Sequence, residues 1–143
     1  MTPPSERNSL MVSVFFYGLF MDADTLRSKG FHPTNVRQAC VDGMALRIGH
    51  RATLTPDPSK PAHGFLMGLS RRELDRLYTE PSVTSYRPEI VGARLTSGHS
   101  VAAVCYNLPV PLELTERNAE HAAKIRELGR RLGLPAQYVE SIA

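Results

Sequence analysis

The chain reads as a small α+β domain with a closed or half-closed sheet, mixed or largely antiparallel and barrel-like, with flanking helices. Three observations predict this class. The segment Met11 to Phe16 is apolar at nearly every position, so both of its faces should be covered. Two strand-like segments flank Ser97-Gly98-His99 as a hairpin. After Pro109-Val110-Pro111 the pattern changes, and Ala122, Ile125, Leu128 and Leu132 recur at helical spacing.

Taken in order, Val12 to Phe16 is a central strand that runs into a turn at Tyr17-Gly18. Asp22 suits the N-cap of a short helix, and Gly30 stops it. Asn35 to Ile48 alternates imperfectly, which predicts a long strand or a bent pair with a bulge at Gly43. Thr53 to Pro61, rich in Pro, Asp and Ser, is expected to be a surface loop. His63 to Leu69 returns as a strand, and Ser70 with Glu73 forms a capping box ahead of a helix whose apolar face is Leu74, Leu77 and Tyr78. Pro81 pushes Glu80 out of the helical region, so that helix should end near Thr79. Strands at Tyr86 to Leu95 and Ser100 to Leu108 follow. Thr115 is the expected cap of a helix from Glu116 to Leu132, which Gly133 ends, and Pro135 opens a last short helix with Tyr138, Val139 and Ile142.

Length and composition fit one domain. The chain has 143 residues, 42% of them hydrophobic. Residues 1–9 are polar and aperiodic, a flexible arm before a single domain at 10–143. The net charge of +3 comes from scattered basic residues such as Arg71-Arg72 and Arg130-Arg131, with no basic run of the kind that binds nucleic acid. The run Leu10 to Met21 is too short to cross a bilayer, so a cytoplasmic protein without a membrane partner is expected. Cys40 and Cys105 sit in apolar stretches as buried thiols. His32, His50, His63, His99 and His121 lack ligand spacing, so no metal and no cofactor are expected.

Two segments about sixty residues apart carry a resemblance. One is the apolar strand ending in Tyr17-Gly18-Leu19-Phe20-Met21. The other is Leu74-Asp75 followed by Glu80, then Tyr86-Arg87 and a new strand. The pair resembles the gamma-glutamylcyclotransferase superfamily, which has Tyr-Gly-x-x-Leu/Met after its first strand and Leu-Asp, a catalytic Glu and Tyr-x-Arg later. Gly133-Leu134-Pro135-Ala136-Gln137-Tyr138 is similar to the Gly-Leu-Pro-x-x-Tyr of the animal enzymes. The likeness runs from Met11 to Ile142.

The resemblance implies a gamma-glutamylcyclotransferase-like fold and an internal cyclisation. The α-amine of a gamma-glutamyl amine or amino acid would attack the gamma-carbonyl, giving 5-oxoproline and a free amine. Glu80 would be the general acid/base. Tyr17, Gly18, Leu19, Phe20 and Tyr86 would bind substrate, with Gly18 at positive φ and the Leu19 and Phe20 N–H groups on the α-carboxylate. The small-molecule substrate is then the only partner implied; the oligomeric state stays open. In the family two residues separate Leu-Asp from the Glu, whereas four do here, and Leu19-Phe20 is bulkier than usual. An inactive small-molecule-binding module of the same fold is therefore the alternative, with Glu89 or Asp75 as rival carboxylates and an assembly role ranked last.

Overall fold

The computed structural model describes residues 10–110, 112, 113 and 115–143. The expected arm at 1–9 lies outside them, as does Pro111. β1 (Met11–Phe16) is covered on both flanks, as its apolar content requires. It pairs antiparallel with β3 (Ala52–Ser70), from Met11↔Ser70 to Phe16↔Phe65, and parallel with β5 (Ser100–Asn107) at Val14↔Val104. β2 (Thr34–Ile48) pairs antiparallel with β3, and β4 (Arg87–Leu95) with β5. Ala39 and Cys40 of β2 meet Leu95 and Arg94 of β4, which closes a barrel in the order β1-β3-β2-β4-β5. The expected α+β class with a mixed barrel and flanking helices is thus observed.

Two expectations are corrected. The loop foreseen at Thr53 to Pro61 is part of β3: Thr53 pairs with Arg47 and Pro56 with Met44. The strand Met44 to Ile48 needs a partner, and the buried Thr53 and Leu54 supply it while the prolines stay on the exposed side. The turn chemistry is real only at residues 57–60, which stand opposite Gly43, where the ladder shifts register. Asp57 Oδ1 accepts from Ser59 N and Oγ there, and Gly43 takes φ +79 on the facing strand, the bulge the sequence announced. The second correction concerns the long C-terminal helix. It is α3 (Ala119–Leu132), and Asn118, not Thr115, caps it through Oδ1 on His121 N at 3.0 Å.

The other helices follow their caps. α1 (Ala23–Ser28) starts on Asp22, which accepts from Asp24 N at 3.1 Å. α2 (Arg71–Leu77) carries the Ser70–Glu73 capping box, with bonds of 2.9 and 3.1 Å. Gly133, in the left-handed region at φ +84, ends α3 and leads into α4 (Ala136–Ser141). Ala122, Ile125 and Leu128 of α3 join the core with Leu134, Val139 and Ile142. Both cysteines are buried and free, and burial pushes the Cys105 thiol up to about 12.

Gly64 has no room for a side chain: a Cβ there would lie 2.1 Å from the Phe16 carbonyl oxygen. Gly64→Ala is expected to destabilise the fold by about 1–3 kcal/mol, because two backbones must move apart. Gly18→Ala, where a Cβ meets nothing within 4 Å, should leave stability nearly unchanged. Paired denaturant titrations check the contrast.

Candidate active site

β1 and β5 run parallel, so both finish at the same end of the barrel, where β4 begins. A cavity of about 510 Å³ opens there. Tyr17, Gly18, Leu19, Phe20, Glu80 and Tyr86, the residues singled out from the sequence, all line it.

Tyrosines make much of its wall. The Tyr17 hydroxyl donates to the Tyr106 carbonyl at 2.7 Å, and the Tyr86 hydroxyl donates to the Ala52 carbonyl. The Tyr78 ring stacks on Tyr106 with centroids 3.7 Å apart and planes 13° from parallel. Burial pushes the Tyr17 and Tyr78 hydroxyls well above the usual phenol range and Tyr86 to about 12. Burial thus favours the protonated phenols at neutral pH.

The turn after β1 differs in one respect from expectation. Gly18 has φ −112, not a positive value, and a Cβ built on it would point into open space. What glycine provides is the clear space above the turn, not a left-handed backbone. A 3-10 turn (Leu19–Met21) follows, closed by Met21 N on Gly18 O at 3.0 Å. Among the described residues, the Leu19 and Phe20 N–H groups have no acceptor, as the first donors of a helical turn do not.

Glu80 lies in the turn after α2, where Glu80 N donates to Leu77 O and Val83 N returns to Glu80 O. Its side chain is 33% exposed and sits 3.6 Å from Lys29 Nζ, at the C-terminal cap of α1. Among the described residues lining the cavity, Glu80 is the one carboxylate. The rivals are elsewhere. Glu89 Oε1 accepts from Asn107 Nδ2 at 3.0 Å, Glu73 is committed to its capping box and to His32 N, and Asp75 is exposed on α2.

The sequence reading missed a second group of wall residues: Lys29, His50, Arg51 and His121. His50 and Arg51 form the tip of the β2–β3 hairpin. A Gly-containing break of three residues, 49–51, between Ile48 and Ala52 was the signal for it, hidden by the loop expected farther on. Glu116 Oε2 accepts from His50 N at 2.7 Å, and the Arg51 guanidinium donates to Ser85 Oγ. His121, from the first turn of α3, bonds the Gly49 backbone, while burial, Lys124 and His50 push its pKa down.

A sequence profile of the family described as "Gamma-glutamyl cyclotransferase, AIG2-like" matches residues 14–126, more than half of the chain. The chain belongs to this family. The Gly133 to Tyr138 motif lies beyond the match, and in the structure it is the α3 stop and the start of α4. A solved gamma-glutamyl cyclotransferase superposes with a TM-score of 0.77 at 16% identity, covering 93% of this chain and 86% of that one. An uncharacterized human protein gives 0.75 at 18%, covering 92% and 86%. An AIG2-like protein of Mus musculus gives 0.58 at 14%, covering 80% and 92%. At these identities the likeness concerns the fold. No significant match was found among curated protein sequences. Among the described residues, no helix is long and apolar enough to cross a membrane.

In this member of the cyclotransferase family the turn that carries Leu19 and Phe20 is tied down from outside. Asp22, buried just after it, accepts from Arg131 of α3 at 3.0 Å and from Thr25 Oγ1 at 3.1 Å. Burial alone would raise the Asp22 pKa, but the Arg131, Asp24 N–H and Thr25 bonds outweigh it and hold the carboxyl below its usual range. Glu73 is depressed in the same way by its bonds to Ser70 and His32. Depressed carboxyls contribute stability above roughly pH 4 and lose it as pH falls through their folded values. Arg131→Met should cost about 1–2 kcal/mol at pH 7, discounted because the arginine is half-exposed. It should also shrink the loss of stability on acidification. Melting curves from pH 7 to pH 3 check both.

Proposed function

We propose that the chain is a cyclotransferase that converts a small gamma-glutamyl amine or gamma-glutamyl amino acid to 5-oxoproline and free amine. The observation that carries this reading is the placement of Glu80, the one carboxylate among the described lining residues, in the cavity that also exposes the Leu19 and Phe20 turn, whose N–H groups have no acceptor among the described residues. Those N–H groups take the α-carboxylate of the gamma-glutamyl head. Glu80 removes a proton from the α-ammonium, and the freed amine attacks the gamma-carbonyl. The ring closes as the attacking nitrogen loses its second proton to solvent, the amide C–N bond breaks, and Glu80 returns its proton to the departing nitrogen. Nucleophile and electrophile share one molecule, so holding the substrate folded supplies much of the acceleration. No protein nucleophile takes part. Tyr78 and Tyr106 wall the ring that forms, and Tyr86 lies beside them.

A second reading has a specific observation behind it. Counted without inserted residues, the family's position three after the Asp of Leu-Asp falls on Tyr78, whose buried hydroxyl holds its proton. On that reading Glu80 only pairs with Lys29, and the cavity binds its ligand without turning it over.

Incubation with a panel of gamma-glutamyl dipeptides and amides, with 5-oxoproline followed by mass spectrometry, separates the two. Product is expected from at least one, and Glu80→Gln should lower turnover by about 10²–10⁴-fold with melting unchanged. No product from a folded sample leaves the binding module standing. Full activity in Glu80→Gln removes the proton transfer from this residue.

A further inference from the structure

The reaction just described leaves part of the cavity's charge unused. Lys29 faces Glu80 at 3.6 Å, so that pair is neutral as a unit. Arg51 lines the same cavity, and among the described residues no carboxylate pairs with it. Its guanidinium is fixed instead by an uncharged partner, the Ser85 hydroxyl, and the Tyr86 hydroxyl is near enough to feel its field. His50 precedes it in the hairpin tip, and His121 approaches from α3. Glu116 spends one oxygen on the His50 N–H and packs over Gly49, where a Cβ would come within 1.8 Å of it.

A half-buried cation without a counter-ion is costly unless something anionic joins it. A guanidinium presents a planar fork that fits a carboxylate with two parallel hydrogen bonds. Ser85 holds one nitrogen in place before any ligand arrives, so little side-chain freedom is left to lose on binding.

We propose that Arg51, flanked by His50 and His121, is a second anion subsite of the cavity, which binds a carboxylate carried by the departing amine. The substrate is then a gamma-glutamyl amino acid or peptide rather than a gamma-glutamyl derivative of an uncharged amine. This rests on the cyclotransferase reading and adds to it a residue that sets specificity. The α-carboxylate is held at the Leu19–Phe20 turn, and the second carboxylate at the hairpin tip.

Gamma-glutamylglycine and gamma-glutamylmethylamide differ by that one carboxylate and make the test direct. The wild-type protein should show kcat/KM about tenfold to a hundredfold higher for the glycine compound, as one charge-assisted bond implies. Arg51→Met should remove most of that preference, and Arg51→Lys should keep part of it, since the charge remains without the fork. Equal kcat/KM for the two compounds, or a preference that survives Arg51→Met, overturns the proposal. Should Arg51→Met fail to fold, Arg51→Lys carries the test: a reduced preference supports the subsite and an unreduced one overturns it. If neither compound, nor any other of the panel above, yields 5-oxoproline, the cyclotransferase reading fails by itself, and calorimetric binding of the same pair decides the subsite. Tighter binding of gamma-glutamylglycine that is lost in Arg51→Met supports it; no preference, or no binding of either, overturns it.

Discussion

The site depends on where β1 stops. Its last ladder pair is Phe16↔Phe65, and next to it Gly64 lets the Phe16 carbonyl come closer than any side chain would allow. One residue later the Tyr17 hydroxyl bonds the Tyr106 carbonyl, near the end of β5. The two parallel strands share a single bridge pair, Val14↔Val104, so this side-chain bond fastens their ends together where the ladder does not. The chain then turns at Gly18 with its Leu19 and Phe20 N–H groups unclaimed.

The remaining groups come from loops and element ends, brought in by a rigid barrel. Lys29 ends α1, Glu80 follows α2, Arg51 sits in the β2–β3 tip, and His121 opens α3. The division of labour follows from protonation. Four tyrosines with raised pKa values supply hydroxyl donors and stacking surface, and Glu80 is the carboxylate among the described residues lining the cavity. Arg51 keeps a charge that no carboxylate among the described residues cancels. An anionic, compact ligand suits that arrangement better than a neutral one.

Much of this was legible because local chemistry decides it. The apolar run of β1, the Ser70–Glu73 box, the Gly43 bulge and the Gly133 stop each follow from residue types that admit one arrangement, and the fold class follows from their order. The Tyr17-Gly18 turn and Glu80 were legible as a pair only through the family pattern, since an isolated Glu at a helix end says little. Three things were not legible. Thr53 to Pro56 reads as loop, yet the apolar face of Met44 to Ile48 recruits it as a strand, a tertiary demand no local rule sees. Thr115 and Asn118 are both cap formers, Asn the stronger by type, and the sequence reading passed over Asn118, whose Oδ1 takes the bond from His121 N. The wall residues Lys29, Arg51 and His121 are ordinary polar residues until the barrel closes beside them.

The central claim is that the turn after β1 grips the carboxylate of a gamma-glutamyl head. The most direct measurement is a titration of ¹⁵N-labelled protein with 5-oxoproline, the product that retains that carboxylate, followed through backbone amide resonances. The largest downfield proton shifts should fall on Leu19 and Phe20, whose N–H groups would gain an anionic acceptor, with smaller changes around Tyr78 and Glu80. Saturable shifts confined to other parts of the chain, or none at Leu19 and Phe20 when 5-oxoproline is bound, would contradict it.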